Sequence, residues 1–99
     1  MRTLNYHLAK TAEGQAFRVV IEPQLEYQLT LRTVTALDTS AQHPAAERGS
    51  FTLLFDGVAG QFCAQKTYTV RNDTLGEHRI FIVPIGCERE IYAYEAVFN

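Results

Sequence analysis

Three histidines, two cysteines and a short run of glutamates are the side chains from which this 99-residue sequence would have to build a reactive site. A protein metal centre needs ligands whose spacing makes them converge, such as His-x-x-x-His on a helix or Cys-x-x-Cys in a turn. Neither pattern occurs. His7 falls in a helical stretch, His43 in a long loop and His78 at a strand start, while Cys63 and Cys87 stand 24 positions apart. A Cys63/His78/Cys87 trio is therefore read as scattered side chains rather than as a ligand set. For nucleophilic chemistry, Ser40 and Ser50 bracket His43, with Asp38 nearby. Triads are recognised by geometry rather than by nearness in sequence, and no Gly-x-Ser-x-Gly elbow is present. Ser40 beside Pro44 is ordinary turn composition.

Glu88 and Glu90 are two residues apart at the start of an extended stretch, which puts them on one face, with Arg89 on the other. Two such carboxylates can perturb one another. The simpler reading is a charged strand end that discourages aggregation. Gly57-Val58-Ala59-Gly60 lacks the Lys and the Ser/Thr of a phosphate loop. Tyr92 and Tyr94 have no basic neighbours of the kind that accompany base stacking, so they are assigned to the core. No catalytic, cofactor-binding or metal-ligating residue is expected, and no cofactor.

Composition agrees with that negative. The chain is 46% apolar and 20% charged, with a net charge of −2 and acids and bases interleaved. This describes one globular domain over residues 1–99 and provides no basic stripe for a phosphate backbone. Nucleic acid is not an expected partner. The first residues, Met-Arg-Thr-Leu-Asn-Tyr-His, contain no apolar h-region, and the apolar run at 80–85 is far shorter than a membrane span. Neither export nor a membrane is expected, and the expected compartment is the cytoplasm. There, Cys63 and Cys87 read most simply as buried or semi-buried thiols, with a disulfide as the alternative.

The elements that would position these side chains are mostly strands. One helix is expected over residues 3–12, with Leu4 and Leu8 on one face, Thr3 as its N-cap and Gly14 ending it. Phe17, Val19 and Ile21 then alternate with Arg18, Val20 and Glu22 until Pro23. Tyr27, Leu29 and Leu31 begin a second strand reaching Leu37, with a slip of phase at Thr33-Val34 that suits a bulge. Residues 38–49 are polar and small and form the longest loop. Phe51, Leu53 and Phe55 give a third strand and the stretch through Tyr68 and Val70 a fourth. Residues 79–85, apolar on both faces, give a fifth, expected to be covered on both sides. Gly86 is expected to break it, and residues 88–98 form the last strand with Tyr92, Tyr94, Ala96 and Phe98 turned to the core. The fold class that follows is mostly β: about six antiparallel strands in a small barrel or roll, with a sandwich as alternative. The short N-terminal helix would cap one end or cover the second face of the fifth strand.

Several stretches have a familiar order. Gly14-x-x-Phe17 follows the short helix; then come Phe51-Thr-Leu-Leu-Phe55-Asp-Gly57, Gln65-Lys-Thr-Tyr68, Leu75-Gly76, Ile82-Val-Pro-Ile-Gly86 and Tyr94-Glu-Ala-Val-Phe98-Asn99. In this the chain resembles an uncharacterised family of bacterial proteins of about 100 residues, a domain of unknown function. The resemblance implies an assembly context, because such proteins are often encoded beside proteins resembling phage tail-collar or tail-fibre components. It implies no site residues, since its motifs are turn glycines and core aromatics.

The expected function is a non-enzymatic structural or protein-interaction module, accessory to a phage-tail-like or surface-fibre assembly, whose partner is a tail-collar or fibre-like protein. Pairing through a strand edge is the expected means, at the last strand or at residues 38–49. The alternative is a small barrel that binds an apolar ligand among its eleven aromatic residues (five Tyr, six Phe).

Overall fold

A computed structural model describes residues 4–37 and 50–98. Asn5 caps the helix: its Oδ1 accepts the Leu8 N–H at 2.8 Å, and α1 runs Tyr6–Lys10. The expected cap, Thr3, lies outside the described residues. Five residues cannot hold a helix by propensity, so docking must hold this one. Leu4, Ala9 and Ala12 are buried in the core, and the Glu13 carboxylate accepts the Val34 N–H at 2.6 Å. That bond, helped by Lys10, holds the Glu13 carboxyl below the usual carboxylate range. Gly14, at φ +86°, turns the chain and donates to the Leu31 carbonyl at 2.7 Å.

Six strands follow: β1 (Ala16–Glu22), β2 (Leu25–Ala36), β3 (Phe51–Asp56), β4 (Lys66–Asn72), β5 (Gly76–Glu88) and β6 (Ile91–Phe98). Every pairing is antiparallel, and the sheet closes in the order β1-β2-β3-β6-β5-β4. The barrel, rather than the sandwich, is therefore the architecture. The bulge in β2 falls between Leu31 and Thr33, one step before its expected place.

The alternation read in the sequence becomes inside and outside. Phe17, Val19, Leu29, Leu31, Leu53, Phe55, Ile82 and Tyr94 fill the interior, each at most 1% exposed. Phe17 and Phe55 meet edge to face, with ring centroids 5.2 Å apart. The helix packs against β2 rather than over β5, and so stands at the end of the barrel where β1 starts. The 57–65 connection crosses the opposite end, where Cys63 is buried.

Closure is completed by a narrow seam. Between β1 and β4 the register pairs are Arg18 with Arg71 and Val19 with Val70. Two like charges directly opposite would repel. Glu26 answers both, 3.1 Å from Arg71 and 3.9 Å from Arg18, while Asp73 and Glu77 take the remaining guanidinium contacts. Beside them sits Asn72, the one buried polar residue among the described residues.

Three expectations about the C-terminal strands need correction. Residues 79–85 are not covered on both sides: Ile80 and Ile82 are buried, whereas Phe81 and Ile85 are about half exposed (49% and 51%). Gly86 does not end β5, which bulges between Pro84 and Gly86 and continues to Glu88. Nor do residues 88–98 form one strand. Glu88 pairs with Ile91 across a two-residue hairpin whose central residues, Arg89 and Glu90, both have positive φ (54° and 68°). Glu88 and Glu90 therefore do not share a strand face.

Gly57 shows how tightly this corner is packed. A Cβ built there would lie 2.9 Å from Tyr94 Cε2 and 3.2 Å from the Tyr92 carbonyl. Tyr94 is fully buried and cannot step aside. Gly57→Ala is expected to lower stability by about 2 kcal/mol, the usual cost of overpacking, read as a lower urea midpoint. The added substitution Tyr94→Leu should return part of that loss.

Candidate functional site

The hairpin of β5 and β6 outruns the rest of the barrel. β4 begins at Lys66, opposite Ile82, and β3 ends at Asp56, opposite Ala93. Beyond those points the two strands form a ribbon, steadied at its base by the Gly57 N–H, which donates to the Tyr92 carbonyl at 2.8 Å. β6, the strand expected to offer a pairing edge, is paired with β3 along residues 93–98 and with β5 along residues 91–95. Beyond Ile82, β5 has no partner on its β4 side, and Pro84 in that stretch lacks a backbone donor.

What the ribbon displays instead is side chains. Ile85, Ile91 and Phe62 are 51%, 42% and 49% exposed, large values for apolar groups at one end of so small a domain. Its turn is built from Arg-Glu, although a two-residue turn with positive φ at both positions favours Asn-Gly. Each such non-glycine residue costs on the order of 1 kcal/mol. The sequence keeps two charged side chains at the tip against that local cost, and residues held this way cluster at functional sites.

An open groove lies on each side of the ribbon. The outer one, about 650 Å³, is lined by Arg32, Asp56, Glu88, Arg89, Ile91 and Ala93. Here Arg32 grips Asp56 through both Nη2 and Nε, the latter at 3.0 Å. The Asp56 hydrogen bond and charge, with a smaller contribution from Glu88, raise the Arg32 pKa above its usual value. The two cations, Arg32 and Arg89, are balanced by two carboxylates. The inner groove, about 350 Å³, is lined by Gly60, Gln61, Phe62, Cys87, Glu90 and Tyr92. Phe62 and Tyr92 meet there at 61° with ring centroids 4.7 Å apart. Gln61 is fixed by accepting the Gln28 N–H at 3.1 Å.

The two cysteines are separated by the fold. Cys63 is buried, and its N–H donates to the Tyr94 hydroxyl at 2.9 Å. Burial pushes its thiol pKa up, against a lowering from Tyr94. Cys87, expected to be at least partly buried, is exposed on the ribbon, and both thiols are free. Near pH 8, iodoacetamide should alkylate Cys87 at least ten-fold faster than Cys63, because burial both shields the Cys63 thiol and raises its pKa. Peptide mapping by mass spectrometry reads this directly.

The other candidates do not converge. His78 sits near the start of β5 with its ring nitrogen 2.8 Å from the Leu75 carbonyl, at the far end of the barrel from Cys87. No group of three or more His, Cys, Asp or Glu suited to a metal ion forms among the described residues. Asp38, Ser40 and His43 lie outside the described residues. No helix among the described residues is long and apolar enough to cross a membrane.

Sequence reasoning missed the inner groove. Tyr92, assigned to the core, is partly buried against it and also lines this groove; Glu90, expected in a strand, lies in the turn, and Phe62 carried no expected role. The one available signal was the charged pair Arg89-Glu90 between two β-rich runs.

The model of one protein family, Domain of unknown function (DUF6916), matches residues 4–98. No curated protein and no solved structure matches the chain. With nearly every residue inside that match, the chain belongs to the DUF6916 family of domains of unknown function.

Proposed function

We propose that this domain is a non-enzymatic protein-interaction module whose contact surface is the β5–β6 ribbon. The observation that carries the reading is the display of Ile85, Ile91 and Phe62 at one end of a barrel whose interior is filled by its own side chains. Exposed apolar groups gathered in one place and rimmed by charge are a usual mark of a protein contact. Phe81 and Val97, both 49% exposed, continue the apolar surface along the outer faces of β5 and β6. The module works in the cytoplasm as an accessory to a phage-tail-like or surface-fibre assembly, the context that the family resemblance implies.

The test is affinity purification of the tagged chain from the cells that encode it, beside an Ile85→Ser/Ile91→Ser variant, with recovered proteins quantified by mass spectrometry. The proposal expects one partner at near-stoichiometric yield with the native chain and a loss of about ten-fold or more with the variant, as truncation of anchor residues usually gives. Equal recovery by the two chains would refute it. Both substituted positions are exposed, so an unchanged unfolding midpoint checks that the variant still folds.

A further inference from the structure

The inner groove differs from the outer one in charge. The outer groove sets Arg32 and Arg89 against Asp56 and Glu88, whereas the inner groove has one ionised side chain, Glu90, and two aromatic rings. Among the described residues, Glu90 has no ion-pair partner. Register explains why these groups meet. Tyr92 lies two residues before the buried Tyr94 and so points to the inner side of β6, and Cys87 is paired directly opposite it. Phe62 is brought alongside by the 57–65 connection, whose next residue, Cys63, is anchored through its N–H to the Tyr94 hydroxyl. Glu90 reaches the same groove because the positive-φ turn ends β5 and begins β6 within two residues.

Two aromatic rings and one carboxylate around a small groove form a recognisable recognition chemistry. A ring face attracts a cation through its quadrupole, and a carboxylate at the rim supplies the opposite charge. We propose that this groove binds a cationic alkyl group against Phe62 and Tyr92, with Glu90 as its counter-charge. The group is the head of a Lys side chain, methylated or not, on a protein partner, or a free alkylammonium of the same chemistry. The ribbon's role as a contact surface bears only on that choice of source. The groove's preference for a cation is tested with no partner present.

The test uses the full chain, ¹⁵N-labelled, titrated with choline and separately with 3,3-dimethylbutan-1-ol, which has the same shape without the charge. Choline is expected to shift the amides of Gly60, Phe62, Cys87, Glu90 and Tyr92 saturably, with a dissociation constant on the order of millimolar for so small a ligand. The neutral isostere should bind about three- to five-fold more weakly, the factor an exposed cation–π contact supplies. Glu90→Gln and Phe62→Leu should each weaken choline binding by a similar factor and leave the neutral ligand nearly unaffected. If Phe62→Leu does not fold, Glu90→Gln carries the test, since that residue sits in an exposed turn. Equal binding of choline and its isostere would overturn the proposal, and so would the absence of any saturable shift. Nα-acetyl-lysine methylamide and its Nε-trimethyl form identify the source. Tighter binding of either than of choline supports a protein side chain, and tighter binding of choline supports a free alkylammonium. A failed purification test for the ribbon would sink the interaction reading and leave this result standing.

Discussion

Replacing Asn72 with Ala should lower stability by about 3 kcal/mol and loosen the β1–β4 seam before the rest of the barrel. Asn72 makes four hydrogen bonds from a buried position. Its Nδ2 donates to the Ala16 carbonyl at 3.0 Å and to Gln15 Oε1 at 3.1 Å, and its Oδ1 accepts the N–H groups of Thr74 and Leu75 at 2.9 and 2.8 Å. The first pair ties β4 to the start of β1 across the seam, and the second pair folds the 72–76 turn. Alanine leaves the Leu75 N–H buried without that acceptor and the Ala16 carbonyl without that donor. An orphaned buried group costs about 1–3 kcal/mol. Asn72→Asp separates the two roles. It keeps an acceptor for the turn but faces two oxygens across the seam with a carboxylate. Its hydrogen-exchange protection should fall at Arg18 and Val19 more than at Thr74 and Leu75. Uniform loss of protection across the barrel in both variants would show that Asn72 is not a local clasp.

The second large effect is expected at the centre of the barrel. Phe55→Ala should cost about 3–5 kcal/mol, the range for deleting a buried Phe side chain. Phe55 is fully buried and loses its edge-to-face partner Phe17 on substitution. Small domains have about 5–15 kcal/mol in hand, so the urea midpoint should fall steeply while the slope of the transition stays the same. A loss of less than about 1.5 kcal/mol would mean that the interior collapses around the gap, contrary to close packing.

How much of this was legible in the sequence depended on the range of the interaction. Strands with clean alternation, such as Phe51-Leu53-Phe55 and Tyr94-Ala96, declared their inward faces, because period two needs no knowledge of neighbours. The apolar stretch 79–85 misled for the same reason: periodicity cannot tell a second core face from an exposed apolar face, and Phe81 and Ile85 lie on the latter. The Arg89-Glu90 hairpin was hidden because its residues are not those that favour positive φ. The barrel's closure was only partly readable. Adjacent hairpins follow from short turns, but the pairing of Phe51 with Phe98 and of Val19 with Val70 is settled by packing across the whole chain. Asn72 opens an Asn-Asp-Thr-Leu-Gly run of turn composition, yet its bonds to Gln15 and Ala16 span more than 50 positions. The inner groove needs Phe62 and Glu90 to converge from separate connections, which no local pattern encodes.

The same geometry gives the most direct test of the ribbon as the contact surface. Cys87 stands on the ribbon and is the exposed thiol of the two, so a photo-crosslinker can be attached there without substitution. For comparison, the same crosslinker is placed on a Lys10→Cys/Cys87→Ser chain, on the exposed helix at the opposite end of the barrel. Both are irradiated in extracts of the cells that encode the protein, and the adducts are identified by mass spectrometry. If the ribbon is the contact surface, Cys87 gives one discrete adduct that is absent, or at least ten-fold weaker, from position 10. The same adducts at equal yield from both positions, or none from Cys87, would contradict it.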